Sequence, residues 1–374
     1  MISADVLILG AGPAGAVAAL NLAPTRRVVL VDRREHPAPR IGEAFPGAAR
    51  RLLTDMGLLK AFLAQDHRPW YGNRSVWGLR GAVETDFLQD PDGHGWHLDR
   101  VRFDSLLRHT AVVRGAMLLT PARILDIEFG GDDWQIRVAT PYGGQRVAAQ
   151  FAIDAGGRRA ALARRLSARR RVTDRLVCGW VHGSARPIGP GAGLTVIEAV
   201  EDGWWYTAPI PDNRRVLSFL TDADLPQARI ARDSVRLIEH SAGAREIHTI
   251  LSKGEFVPLG GGFTAAHSTV LEPCAGPRWL AAGDAAMSFD PLSSQGIFHA
   301  LFSGLAAAEA ADACLAGDDN ALQRYCQVMV SIQHAYRRRL DFCYMTETRW
   351  PSAPFWERRR GYKPDRTRNR AKPS

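Results

Sequence analysis

The segment VLILGAGPAGAVAALNL, residues 6–22, sets three glycines between an apolar run and an alanine-rich stretch. The apolar run reads as a buried strand over 4–10, and the alanine-rich stretch reads as a helix over 13–23. Gly10-Ala11-Gly12-Pro13-Ala14-Gly15 is then a GxGxxG turn joining the two. Gly10 permits the tight turn, Gly12 lets backbone approach a pyrophosphate, and Gly15 lets the helix pack closely on the strand. The helix start, with Pro13 and Ala14 in its first turn, offers N–H groups and partial positive charge to phosphate. RRVVLVD, residues 26–32, reads as a second strand beside the first. It ends in Asp32, 22 residues after Gly10 and followed by Arg33, where a carboxylate can hold a ribose hydroxyl. Such a unit restricts the chain to the α/β class, with a Rossmann-like dinucleotide site.

At 374 residues the chain is long enough for two closely joined domains. Residues 44–65 read as a helix and 73–88 as two strands with a glycine turn. Residues 102–116 read as a helix, followed by strands near 117–128, 133–139 and 145–154. From 172 to about 270 short strand-like runs dominate, the texture of an antiparallel sheet interrupted by one helix over 228–239. RWLAAGD (278–284) returns to a buried strand, a small-residue helix follows over 296–316, and 320–348 read as a long helix or helix pair.

The net charge is +9, and only four of the 48 basic residues are lysines: Lys60, Lys253, Lys363 and Lys372. A basic surface suits acidic partner proteins or anionic cofactors. The five cysteines are scattered, with no CxxC pair, which argues against a disulfide framework and a metal site. The N-terminus lacks the charged-then-apolar pattern of a signal peptide, and no run of 18 uncharged apolar residues exists, so a cytoplasmic protein without a membrane span is expected. No nucleic-acid partner is expected, although a basic C-terminal tail keeps RNA binding as a rival reading.

WLAAGDAAMSFDPLSSQGIFHAL (279–301) resembles the second flavin motif of the para-hydroxybenzoate hydroxylase superfamily. The resemblance implies FAD, with Gly283 and Asp284 at the ribityl chain and Pro291, Ser294, Gln295, Gly296 and Ile297 against the isoalloxazine ring. HLDRVRFD (97–104) resembles the family's arginine-then-FD helix start, which places Arg100 on the flavin side. FAIDAGGRR (151–159) resembles its strand-to-turn element with Asp154, Gly156 and Arg158, and Arg40 stands where relatives hold an arginine near the pyrophosphate.

RIGEAFPGAARRLLTDMGLL (40–59) and GWWYTAPIP (203–211) resemble the tryptophan-halogenase branch, with Tyr206 in place of a second tryptophan. Halogenases of that branch rely on a lysine and carry a glutamate where this chain has Ser293. Neither Lys60 nor Lys253 matches that lysine. FCYMTETRWPSAPFWERRR (342–360), WYGNRSVWG (70–78) and GHGWHLDR (93–100) resemble flavoproteins that hydroxylate a peptidyl tryptophan during tryptophylquinone biogenesis.

The resemblance implies a monooxygenase that hydroxylates an aromatic ring through a flavin C4a-hydroperoxide, using O2 as co-substrate and NAD(P)H, directly or through a separate reductase, as transient reductant. Its partner would be a precursor protein carrying the target tryptophan. The expected FAD-binding domain comprises 1–66, 97–170 and 271–318, interleaved with a substrate domain of 67–96 and 171–270. A helical segment and tail occupy 319–374. Glu43 and His97 are candidate catalytic groups, His94 lies near them, and Trp205 and Tyr206 are candidate substrate contacts. A halogenase and a flavin-dependent double-bond reductase are the alternatives.

Overall fold

The computed structural model describes residues 1–78, 81–87, 90–189 and 191–360. The basic tail and Lys363 and Lys372 lie outside the described residues. Strand β1 (Ile2–Leu9), helix α1 (Pro13–Leu22) and strand β2 (Val28–Val31) form the expected opening unit. In β1, Val6, Leu7, Ile8 and Leu9 are all buried, the continuous apolar pattern of a strand inside a parallel sheet. β2 and strand β3 (Gly143–Asp154) flank it, both parallel to it, and strands Met117–Leu119 and Trp279–Ala281 continue the parallel order outward.

Helices α1, α2 (Arg100–Val113) and α3 (Gly296–Leu315) bury one face of this sheet in a shared apolar cluster. α1 and α3 pack without side chains between them at one point. A Cβ on Gly304 would stand 2.4 Å from the Ala14 carbonyl oxygen. A second cluster around Trp134, Ile136, Val138 and Leu162 covers the other face.

A seven-stranded sheet forms the second layer. Its central strands are β4 (Leu176–Ser184), β5 (Thr195–Val200), β6 (Gly203–Ile210) and β7 (Arg214–Asp222). These pair antiparallel, in the order β4-β7-β6-β5. Helices Ser234–His240 and Arg245–Lys253 cover one face. The other face meets the C-terminal helices α4 (Ala321–Thr346) and α5 (Pro354–Arg360). The chain is thus an α/β protein with a Rossmann-like first domain, an interleaved antiparallel sheet and a helical C-terminal segment.

Two expectations are corrected locally. The helix expected over 44–65 is a two-residue strand, Ala44–Phe45, followed by helices Ala49–Asp55 and Leu59–Leu63. Pro46 has no N–H to continue a helix, and Gly57, with φ +68°, ends the first of the two short helices. The single helix expected over 228–239 is split, because Asp233 caps a new helix by accepting from the Val235 and Arg236 N–H groups, and a further helix lies at Arg245–Lys253.

Candidate active site

The glycine turn separates what the chain needs from what a ligand needs. Gly10 has φ +100°, and a Cβ there would stand 2.4 Å from the Ala155 carbonyl oxygen. A Cβ on Gly15 would stand 1.8 Å from the Gly10 carbonyl oxygen. Both glycines are therefore dictated by packing. Gly12 is extended at φ −73°, ψ −176°, and a Cβ there would meet nothing within 4 Å. No internal contact explains a glycine at that position. A dinucleotide whose pyrophosphate lies against the backbone does. Gly12 also serves as N-cap of α1 without a side-chain cap, with Pro13 following and Ala14 and Gly15 in the first turn.

Asp32 ends β2 beside this turn. Its carboxylate accepts from the Ala11 N–H at 2.7 Å and the Arg34 N–H at 2.8 Å. Arg108 of α2 stands 3.3 Å from the same carboxylate and donates to the Ala11 carbonyl at 2.7 Å and the Arg34 carbonyl at 3.0 Å. Arg108 therefore locks both arms of the nucleotide turn. Sequence reasoning missed it, because nothing in its spacing ties it to Gly10 or Asp32. Arg33 is exposed.

Arg40 and Arg100 converge on Asp104. Arg100 donates to both Asp104 oxygens and, at 2.8 Å, to the Gly42 carbonyl. Arg40 pairs with the same carboxylate. All three anchor the segment 40–43, which carries Glu43. Asp154 is enclosed, and its oxygens accept from the Gly156, Leu162 and Ala163 N–H groups. Its carboxylate is thus committed to its own turn, a positioning role in place of the expected cofactor contact. Arg158 bonds the His267 carbonyl and lies 3.7 Å from Asp284.

Gly283 and Asp284 follow the strand Trp279–Ala281. Gly283, at φ +59°, presses on Ala14 and donates its N–H to Ser303 at 2.9 Å. The Asp284 side chain remains 43% exposed, so its carboxylate is available to a ligand. Asp290 then caps the short turn Pro291–Ser293, Ser294 sits at φ +51°, and Gln295 leads into α3 without a side-chain cap. Gly296 is exposed with no neighbour within 4 Å of a Cβ position, and Ile297 is buried beneath it. The uncapped start of a 20-residue helix concentrates positive potential here, suited to an anionic reduced ring.

The sheet of the second domain faces this loop. Leu292 packs in one cluster with Ile41, Trp180, Trp204 and Tyr206. Alternation along β6 sends Trp205 the other way, to stack on Phe219 at 4.6 Å beneath the covering helices. Trp205 and Tyr206 therefore cannot line the same space, and Trp204 takes the place expected of Trp205. The Tyr206 hydroxyl is buried facing Glu43 and Thr195, with no hydrogen bond of good geometry to either. Burial raises the Glu43 carboxyl above its usual range, against the Tyr206 hydroxyl, the Gly42 N–H and Arg100. His97 is fully enclosed and pairs with Thr195 at 2.7 Å. Burial takes it down to about 3, with Arg215 and Arg68 adding to the effect, so it is a neutral ring that orients Thr195. His94 pairs with the Gly95 carbonyl at 2.9 Å.

The C-terminal helices complete the site. The Tyr344 hydroxyl donates to Asp290 at 2.7 Å and accepts from the Trp204 indole at 3.2 Å. A cavity of about 330 Å³ lies against Asp290, Tyr344, Leu340 and Arg359. A second of about 300 Å³ lies at the far end of the sheet, by His67, Arg68 and Arg214. His299 on α3 is buried with neither ring nitrogen hydrogen-bonded, and burial takes it down to about 4. Among the described residues no cluster of three metal-ligating side chains is present, and no helix is long and apolar enough to cross a membrane.

Burial, with Asp174 nearby, lifts Asp290 to about 7, against the Leu292 N–H, the Tyr344 hydroxyl and Arg359. The folded state then binds a proton that the unfolded chain releases near 4. Its stabilising contribution is complete below that value and is lost as pH rises through 7. Asp290→Asn is expected to flatten the fall in melting temperature between pH 4 and 7 and to melt above the wild type at pH 8. An unchanged slope in differential scanning fluorimetry contradicts the assignment.

A glycine turn with open space over Gly12, Asp32 at the end of β2 beside it, an exposed Asp284 carboxylate and an uncapped helix start fit FAD, and together they define a flavin-dependent oxidoreductase. Residues 3–325 match the FAD binding domain family, and the chain belongs to it. The chain is 31% identical over 369 residues to LodB of Marinomonas mediterranea, assigned as an FAD-dependent oxidoreductase, covering 97% of this chain and 98% of that protein. The structure is similar to CmlS, a flavin-dependent halogenase, with a TM-score of 0.86 and 26% identity over 98% of this chain and 69% of CmlS. It is also similar to QhpG, a peptidyl tryptophan dihydroxylase essential for tryptophylquinone cofactor biogenesis, with a TM-score of 0.71 and 26% identity over 96% of this chain and 79% of QhpG. The chain spans 63% of a flavin-dependent halogenase of Armillaria mellea that it matches at 26% identity.

Proposed function

We propose that the protein is an FAD-dependent monooxygenase that hydroxylates a tryptophan side chain of a precursor protein during tryptophylquinone biogenesis. The observation that carries this reading is the likeness to QhpG over 96% of this chain. In this chain the C-terminal helices close over the aromatic face of the sheet, where Trp204, Tyr344 and Trp356 pack around Trp77 and Tyr344 also bonds the Trp204 indole. FAD would be held by Gly10, Gly12, Gly15 and Asp32 at the nucleotide end, by Asp284 at the ribityl chain and by residues 291–297 at the ring. When bound and reduced, it supplies activation of O2.

The chain's own residues orient and enclose. Trp204, Tyr206 and Ile41 form an apolar wall beside Leu292 of the ring-side loop. An indole is already electron-rich, so placing it within reach and excluding water does most of what the protein must do. Glu43 holds a proton beside Tyr206 up to a higher pH than an ordinary carboxyl. NAD(P)H, directly or through a separate flavin reductase, is the electron source in this reading. The basic charge balance suits an acidic precursor.

The likeness to CmlS favours a halogenase as the second reading. Against it, the two lysines among the described residues, Lys60 and Lys253, are both exposed and lie on helices outside the sheet's aromatic face. The test is incubation with FAD, NADH, a reductase and a candidate precursor protein, with and without chloride. Peptide mass spectrometry is expected to show about 16 Da added per oxygen on tryptophan, independent of chloride. A chloride-dependent gain of about 34 Da favours the halogenase, and an unmodified precursor with an oxygen-independent product favours a double-bond reductase.

A further inference from the structure

Two of the cysteines that the sequence scatters are brought together by the fold. Cys274 lies just before the two-residue strand Ala275–Gly276, which pairs antiparallel with the strand Trp279–Ala281, and Cys326 lies in the second turn of α4. Their sulfurs are 3.3 Å apart across 52 residues of sequence. Both side chains are only partly buried, so a small solute can reach them. The neighbourhood is fixed from both sides. The Ala281 N–H donates to the Cys274 carbonyl at 2.8 Å, and the hydroxyl of Tyr325, next to Cys326, donates to the Ala281 carbonyl at 2.6 Å. Ala281 is the last strand residue before Gly283 and Asp284.

We infer that Cys274 and Cys326 form an oxidation site that hydrogen peroxide converts to a disulfide, tying α4 to the strand that presents Asp284. The pair is chemically asymmetric. The Cys274 thiol donates toward the Cys326 sulfur and holds the Cys326 thiol below its usual range, while that bond and burial push its own up. Cys326 is therefore the attacking thiolate. Its sulfur attacks one peroxide oxygen, an S–O bond forms, the O–O bond breaks, and the departing hydroxide takes a proton as water. The Cys274 sulfur then displaces the hydroxyl of the Cys326 sulfenic acid, an S–S bond forms, and the second water leaves with the Cys274 proton. The two thiols lose two electrons in all, and the peroxide gains two. Cys178 differs in being fully buried, its thiol pushed up by burial. Burial also raises Cys314 and Cys343, and neither has a second sulfur within hydrogen-bonding distance among the described residues.

The inference is independent of the substrate reading, and its readout is not activity. Purified full-length protein is treated with a small excess of hydrogen peroxide, quenched, unfolded and titrated for thiols. The expected result is a fall from five free thiols to three, with a mass loss of about 2 Da and a non-reducing peptide map linking Cys274 to Cys326. Cys326→Ser is expected to keep its four remaining thiols under the same treatment. Cys274→Ser, which keeps a hydroxyl donor beside Cys326 but no second sulfur, is expected to gain one oxygen at Cys326 in place of the cross-link. Five thiols persisting after treatment, a cross-link involving another cysteine, or equal oxidation of all five overturns the inference.

Discussion

Gly12→Val is expected to leave the apoprotein folded with a melting temperature close to that of the wild type, while FAD affinity falls at least about a hundred-fold, about 3 kcal/mol. The reason is geometric. The backbone at Gly12 is extended, a conformation open to any residue, and the space a Cβ would take is empty of protein within 4 Å. A branched side chain would fill the approach to the α1 N-terminus and hold a pyrophosphate away from its N–H groups. Gly15→Val is the paired control. Its Cβ would stand 1.8 Å from the Gly10 carbonyl oxygen, so the turn itself must open, and folding should suffer before binding can be measured. Thermal scans of the apoproteins, with fluorescence titration of FAD, separate the two. A Gly12→Val apoprotein that melts far below the wild type would show that packing, not a ligand, requires the glycine.

Asp104→Ala is expected to cost about 3–5 kcal/mol, because it leaves buried positive charge without its partner. Asp104 is 1% exposed and holds Arg100 through both oxygens, with Arg40 on the same carboxylate. The half-buried Arg40 guanidinium is already disfavoured by burial and by Arg100 beside it, with Asp104 offsetting part of this. Removing the carboxylate leaves two guanidiniums facing each other under the segment that carries Glu43. A denaturant midpoint shifted by the equivalent of less than about 1 kcal/mol would place the pair in solvent and contradict the buried arrangement. Asp104→Asn keeps an acceptor and removes the charge, so its midpoint should lie between those of the wild type and the alanine variant.

Local signals were the legible ones. The strand–turn–helix unit, its three glycines and Asp32 lie within one short stretch, so their spacing announces the turn even though Gly10 packs on distant Ala155 and Gly12 meets no protein neighbour. The α3 start was legible for the same reason, since loop and helix are adjacent in sequence. What could not be read depends on faces and on long-range packing. A period of two shows that Trp204 and Trp205 point oppositely, but the burial of both faces of β6 removes the polar alternation that would say which points inward. Arg108 secures the nucleotide turn from 76 residues beyond Asp32, with no motif to announce it. The helix expected over 44–65 failed where helical spacing of leucines was weighed above Pro46 and Gly57. His97 attracted notice as a titratable group, yet its enclosure is a property of the small sheet it joins with Ala44 and Arg68.

Two of the C-terminal segment's attachments, each visible only in the fold, bear on the segment expected to meet the cofactor. Tyr325 and Cys326 seat α4 on the strand leading to Asp284, and Tyr344 joins it to Asp290 at the start of the ring-side loop. Arg359 reinforces the second attachment by pairing with Asp222 and lying over the Phe355 ring at 3.6 Å. The C-terminal segment is thus bonded to both ends of the segment expected to meet the cofactor.

Isotope labelling tests the central claim most directly. The reconstituted protein is supplied with reductant, the precursor protein and heavy-oxygen O2 in ordinary water, and the tryptophan-containing peptides are weighed. The account predicts heavy oxygen on a single tryptophan of the precursor, none when the labelled oxygen is supplied as water. A precursor that takes oxygen only from water, or remains unlabelled while O2 is consumed, contradicts it.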